Sequence, residues 1–225
     1  MGRETLARSL ARIVAQTWRP LEIVLVDASG QQPSRNAVGD VPVTFVQRGP
    51  LARARAANVG IDHARGEAIL FLDEDDEIES DHVADLQAAL ANTPNARVAY
   101  SQTRLLESTG NTQRIFGGPF NRMALFRSNY LAIHAVLFQR SLVSEGCRFD
   151  ESLDLFEDWD FWLQLAMRTP FAFTGKPTAM YHAATGQSGA GSGPNLDRDA
   201  VLAHRERLMQ KWENARHALA IASGP

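Results

Sequence analysis

The chain has 225 residues, 44% of them apolar and 22% charged, with a net charge of −3. That is enough for one large globular domain with its own core, and the balance of charge leaves no basic footprint for nucleic acid. A single cysteine, Cys147, excludes an internal disulfide and a multi-cysteine metal site, and no apolar run reaches the ~18 residues of a membrane span. The start of the chain does not read as a signal peptide.

Residues 4–16 carry Leu6, Leu10, Ile13 and Val14 at helical spacing, so an amphipathic helix is expected there. Pro20 closes the connection. Residues 21–27 then form a β-branched strand ending on Asp27, and Ala28, Ser29 and Gly30 supply turn chemistry. A short strand is expected over 43–46, and a helix over 51–65 with Gly66 as its C-terminal cap. The apolar run 68–72 predicts a buried strand of a parallel sheet. It stops on Asp73, Glu74, Asp75, Asp76 and Glu77. Ser80 and Asp81 open another helix to about residue 90, and residues 98–101 read as a strand. Strand alternating with helix predicts an α/β fold, with helices flanking a mostly parallel sheet.

The second half is less regular. Residues 109–129 mix Gly117, Gly118 and Pro119 with Phe116, Phe120 and Phe126, which suits a loop-rich surface with apolar anchors. Strands are expected over 133–138 and 178–182, and a helix over 157–167 in which Trp159 and Trp162 fall at packing positions. Gly189, Gly191 and Gly193 resemble a phosphate cradle, but no βαβ unit follows them, so they read as a mobile loop. Residues 197–222 predict one long helix, docked on its own domain or on a neighbour.

Chemistry gathers first at the acidic run. If the strand persists, its period of two turns Asp73 and Asp75 the same way. Ligands of open α/β sheets bind beyond the carboxyl ends of the strands. Two carboxylates there form a hard-oxygen site for magnesium or manganese, which keeps several waters and takes substrate phosphates as further ligands. A solvated acidic turn capping the next helix would have the same composition.

The wider pattern resembles a known family. Ser9-Leu10, Gln16-Thr17-Trp18 and Glu22-Ile23-Val24-Leu25-Val26-Asp27 are similar to the opening of family 2 glycosyltransferases of the GT-A fold. So are Asn58-Val59-Gly60-Ile61 followed by Ala64-Arg65-Gly66-Glu67, and Phe71-Leu72-Asp73-Glu74-Asp75-Asp76. Phe149-Asp150-Glu151 and Glu157-Asp158-Trp159-Asp160-Phe161-Trp162 resemble the segment where that family keeps its catalytic base. Order and spacing agree over residues 4–185.

The resemblance implies inverting transfer of a sugar from a nucleotide-diphosphate donor, a UDP-sugar first, to a carbohydrate or lipid-linked acceptor. It implies a divalent cation, Mn2+ or Mg2+, at Asp73, Asp75 and His182, with Asp75 in direct contact and Asp73 shared with the ribose. His182 is otherwise a polar cap at a strand end. Asp158 is the matching general base and Glu157 its second; neighbouring carboxylates at a helix N-terminus are also dipole caps. Asp27 would bond the nucleotide base, and Arg53 or Arg55 would approach the phosphates. Asn58 and Asp160 read as structural. One domain over 1–225 is expected, with a nucleotide-binding half to about 103, an acceptor-side half over 104–195 and the C-terminal helix beyond. Polysaccharide synthesis in the cytoplasm, with peripheral contact to the inner face of the membrane, is what the same likeness implies.

The chain departs from the pattern in three places. Ala28 stands where the family has a second Asp, and Ala57 where it has an Arg. Its opening strand is absent, since Met1-Gly2-Arg3 leads directly into the helix; the expected consequence is a groove in the sheet and a diminished nucleotide pocket. A catalytically silent or truncated domain that serves as a binding or assembly module is therefore the rival expectation. A nucleotidyltransferase is a weaker one, for want of a basic, glycine-rich phosphate loop.

Overall fold

The computed structural model of the chain describes residues 4–28, 37–47, 49–107, 109–182 and 197–222. Helix α1 (Glu4–Val14) leads into β1 (Ile23–Asp27), then β2 (Ala37–Val38), β3 (Val41–Gln47), α2 (Arg53–His63) and β4 (Ala68–Leu70). Beyond the acidic run come β5 (Glu77–Ile78), α3 (His82–Asn92), β6 (Val98–Tyr100), β7 (Thr103–Leu106), β8 (Thr112–Phe116) and α4 (Arg122–Leu125). The chain continues through β9 (Val136–Gln139), α5 (Ser141–Ser144), α6 (Glu157–Ala166), β10 (Phe171–Phe173), β11 (Ala179–His182), α7 (Arg198–Lys211) and α8 (Glu213–Ala222).

The described strands form three sheets, ordered β1-β3-β2, β10-β6-β9-β4 and β5-β11-β7-β8. The α/β architecture is the expected one, with mixed pairing. β1 runs parallel to β3, and β10 to β6, whereas β9 runs antiparallel to both β4 and β6. β4 is thus an antiparallel partner of β9 rather than a strand of a parallel sheet. β1 and β4 stand in different sheets, and no described strand lies between them. Val24, Leu25 and Val26 on β1 and Leu70 on β4 consequently keep part of their apolar surface in solvent.

The core lies under α6. Nearly every residue of that helix is buried, Trp159 and Trp162 among them, and so are the acidic Glu157 and Asp160 of its first turn. Phe161 stacks on Phe149 at 4.4 Å between ring centroids and meets Phe138 edge-on. Each such side chain contributes about 1.5–3 kcal/mol by leaving water. The packing reading of the two tryptophans therefore holds.

Three local expectations are corrected. Helix α2 ends at Ala64, whose N–H reaches the carbonyls of Gly60 and Ile61, so Gly66 is not its cap. Gly66 instead lies where its N–H meets Glu22 Oε1 at 2.8 Å, and a Cβ there would come within 3.2 Å of the Ala68 carbonyl. The region read as loop-rich contains β8, the antiparallel partner of β7; β8 is almost wholly exposed, so no alternation marked it. The long C-terminal helix breaks at Trp212 into α7 and α8. It docks on its own domain through the fully buried Asp160, which accepts from Trp212 Nε1 and Gln164 Nε2 at 2.8 Å and pairs with Lys211 at 2.9 Å. Asp160 and Asn58 are structural as expected, Asn58 exchanging hydrogen bonds with the Phe149 backbone. The glycines at 189, 191 and 193 and the turn at 29–30 lie outside the described residues.

Candidate active site

The acidic run does not continue as a strand. β4 ends at Leu70, and Asp76 N–H turns back to the Asp73 carbonyl at 3.2 Å. Strand alternation is thus not what gathers the carboxylates; the turn is. It brings Asp73, Asp75 and Asp76 together, each with a carboxylate oxygen within 4.8 Å of the others. Burial raises the Asp75 carboxyl above its usual range, and the charges of Asp76, Asp73 and Glu74 add to the effect. Crowded anions of this kind are relieved by a divalent cation. All three residues offer oxygen, the donor that magnesium and manganese take. The set therefore fits such an ion.

Helix α1 holds this turn in place. Ser9 Oγ lies 2.7 Å from the Glu74 carbonyl and 2.9 Å from that of Asp76. One turn on, Arg12 Nε pairs with Glu77 at 2.6 Å and Arg8 joins from the other side at 2.9 Å. Burial opposes the charge on Glu77, but Arg12, Arg8 and His182 together hold its carboxyl below the usual range. Gln16 completes the clamp, donating to the Glu79 carbonyl and accepting from Val83 N–H. Arg8, Ser9 and Arg12 recur at helical spacing, so one face of α1, with Gln16 just beyond its end, meets the segment from 74 to 83.

Behind the turn lies a buried polar layer. His134 Nδ1 is 3.0 Å from Asp76 Oδ2, off the line of a hydrogen bond. His182 N–H donates to the other Asp76 oxygen at 3.2 Å. His82 bridges Thr178 and the His134 carbonyl; burial and then His134 push its imidazole down to about 3, so it is neutral.

Arg53, at the start of α2, joins the turn to α6. Its Nη2 lies 3.1 Å from Asp73 Oδ2 and its Nε 2.8 Å from Glu157 Oε1. Burial works against the guanidinium charge, but Asp73 and Glu157 more than offset it and raise its hold on the proton. Helix α6 begins after Phe156, a non-glycine residue in the left-handed region at φ 64°. Asp158 follows. Its Oδ1 accepts from Trp159 N–H at 2.6 Å and its Oδ2 from Asn129 Nδ2 at 3.1 Å. Desolvation and then the neighbouring charge of Glu157 push the Asp158 carboxyl up to about 7. A carboxylate poised there takes and releases a proton near neutral pH.

The sequence profile described as Glycosyl transferase family 2 matches residues 2–144. The chain belongs to that family.

This family 2 chain is 27% identical over 175 residues to the succinoglycan biosynthesis protein ExoO of Rhizobium meliloti (strain 1021), across 69% of this chain and 50% of ExoO. It is 26% identical over 174 residues to the uncharacterized protein y4gI of Sinorhizobium fredii, across 72% of this chain and 19% of y4gI. It thus spans half or less of the length of these two relatives. Among solved structures, S. aureus TarS 1-349 in complex with UDP-GlcNAc superimposes with a TM-score of 0.68 at 16% identity, covering 96% of this chain and 69% of that one. The mannosyltransferase PcManGT from Pyrobaculum calidifontis in complex with GDP-Man and Mn2+ gives 0.60 at 17%, covering 98% and 72%. The fold is that of GT-A glycosyltransferases.

Of the residues expected at the site of this family 2 domain, Asp73, Asp75, Arg53, Glu157 and Asp158 form one continuous constellation. Asp27 is half-buried at the end of β1, opposite Gln47 of β3. His182 Nε2 lies 2.9 Å from Glu77 Oε1, and the third carboxylate gathered with Asp73 and Asp75 is Asp76. Sequence reasoning missed three contributors. Ser9 was visible only as part of a motif. Asn129 lay in the least regular stretch, and nothing in its spacing tied it to Asp158. His134 fell inside an apolar run that read as a plain strand. A concavity of about 420 Å³ between Trp18 and α3 contains none of these residues.

Proposed function

We propose that this domain moves a sugar from a nucleotide-diphosphate donor, a UDP-sugar first, to an acceptor hydroxyl, with inversion at the anomeric carbon. The observation that carries this is the Arg53 bridge, which ties the carboxylate turn to the helix that bears Asp158. Asp158 takes the proton of the acceptor hydroxyl as that oxygen attacks the anomeric carbon. The bond to the diphosphate breaks on the opposite face, and its electron pair leaves on the phosphate oxygen. Such a base is worth roughly 10²–10⁴-fold in rate.

Asp73, Asp75 and Asp76 would hold a manganese or magnesium ion, which when bound neutralises charge on the departing diphosphate. Asp73 and Asp27 hold the nucleoside end, and Arg53 meets phosphate. His182, through its backbone contact with Asp76, supports the cluster from the side. Residues 1–103 carry the donor and 104–195 the acceptor, with 115–135 as the acceptor wall. The complexes of TarS with UDP-GlcNAc and of PcManGT with GDP-Man and Mn2+ support a nucleotide-sugar donor and a metal. ExoO, by its name a succinoglycan biosynthesis protein, supports a carbohydrate or lipid-linked acceptor in polysaccharide synthesis. We assign the reaction to the cytoplasm, as the family likeness implies.

A silent binding module is the second reading, and the division between β1 and β4 favours it. Calorimetric titration of UDP, GDP, dTDP and CMP with and without manganese separates the two. Manganese-dependent binding lost in Asp75→Ala, with turnover lost but donor binding kept in Asp158→Asn, is the expected result. Binding of no nucleotide at all would overturn the transferase reading.

A further inference from the structure

We infer that Asn129 is the positioning residue of the base: its amide holds the Asp158 carboxylate in the orientation from which it takes the acceptor's proton. This rests on the reading of Asp158 given above.

Asn129 belongs to the segment between α4 and β9, on the acceptor side. Its Oδ1 accepts from Leu131 N–H at 3.1 Å, which fixes the amide so that Nδ2 is the group facing Asp158. The segment is itself anchored. Leu131 is buried in the core, Tyr130 packs edge-on against Tyr100, and its hydroxyl donates to the Asn121 carbonyl. A second tie lies just upstream, where Trp159 Nε1 of α6 donates to the Leu125 carbonyl at 2.7 Å. The acceptor-side segment therefore touches the base-bearing helix at two points, and one of them is the carboxylate itself.

Among the described residues Asp158 has two donors, one from each side. Trp159 N–H, from its own helix, holds Oδ1; Asn129 holds Oδ2. An ionised carboxylate has about four acceptor positions, so two remain for an incoming hydroxyl. Two fixed contacts define the plane of the group, whereas the Trp159 contact alone leaves it free to swing. The charged groups facing Asp158 are Glu157 from α6 and Arg53 from α2, which bind one another. Asn129 is the neutral donor among them. It favours the ionised form without a positive charge that would quench the base. The segment that would meet the acceptor thus also sets the base that activates it.

The test compares Asn129→Asp with Asn129→Ala. The aspartate keeps an oxygen for Leu131 N–H and so keeps the segment, but it has no amide to donate. The Asp158 side chain is followed by carbon-detected carboxyl titration, assigned against Asp158→Asn, and turnover by release of UDP from UDP-GlcNAc as the probe donor. We expect the Asp158 midpoint to rise by about one pH unit in Asn129→Ala, and at least as far in Asn129→Asp, where a second carboxylate replaces the donor. UDP release should fall about 10–100-fold at unchanged KM for the probe, with its acid limb moved to higher pH by the same amount. An Asp158 midpoint equal to wild type in both variants overturns the inference and leaves Asn129 a staple of its own segment. Wild-type UDP release by Asp158→Asn would overturn the reading of Asp158 as base instead. The titration would then still decide whether Asn129 sets that carboxylate.

Discussion

Ser9→Ala tests whether α1 builds the carboxylate turn or only abuts it. The Ser9 hydroxyl is almost fully buried and lies 2.7, 2.9 and 3.1 Å from the carbonyls of Glu74, Asp76 and Thr5. It has one proton, so removing it takes one hydrogen bond and leaves whichever carbonyl accepted it without that donor. A lost hydrogen bond costs about 1 kcal/mol, and a buried carbonyl left unsatisfied about 1–3 kcal/mol. Gln16 and Arg12 still hold Glu79 and Glu77, which argues for the lower part of that range. About 1–2 kcal/mol spent on ordering Asp73, Asp75 and Asp76 corresponds to roughly 5–30-fold weaker cation binding. Manganese affinity read from the paramagnetic resonance of the free ion measures this, and exchange of the Asp76 amide, which closes the turn, gives a readout that needs no metal. Manganese binding within about two-fold of wild type, together with unchanged Asp76 protection, would refute the reasoning. The turn would then be holding itself.

Two further predictions concern stability. Asp160→Asn removes the buried charge that Trp212, Gln164 and Lys211 share; the expected cost is about 2–4 kcal/mol, seen as a fall in Tm of roughly 5–15 °C, and an unchanged melt would show that α7 and α8 dock without it. His82 is held neutral in the fold, with its imidazole down at about 3 against an ordinary 6.5. Below the ordinary value the unfolded chain binds a proton that the folded chain refuses, so stability is lost as pH falls from 6.5 towards 3. His82→Gln should flatten that limb of a Tm-against-pH curve, and a slope equal to wild type would count against the assignment.

Much of this protein was legible in one dimension, for reasons that belong to local chemistry. The helical spacing of Leu6, Leu10, Ile13 and Val14 and the β-branched run closed by Asp27 each report a single element, because periodicity records which face of that element is buried. Family membership was legible too, since it resides in short motifs in order. Elsewhere local rules misled. The acidic run read as a strand end whose alternation paired Asp73 with Asp75, whereas a turn closed from Asp76 to Asp73 and clamped by Ser9 gathers three carboxylates. β8 went unseen because an exposed edge strand has no apolar face to alternate. The residues that give the carboxylates their setting come from far along the chain: Arg53 reaches Glu157 across 104 positions, Asn129 reaches Asp158 across 29, and Ser9 meets Asp76 across 67. Spacing in sequence carries no trace of such pairs. Desolvation and the field of neighbouring charges, which set what Asp75 and Asp158 can do, exist only once packing has excluded water and brought those groups together.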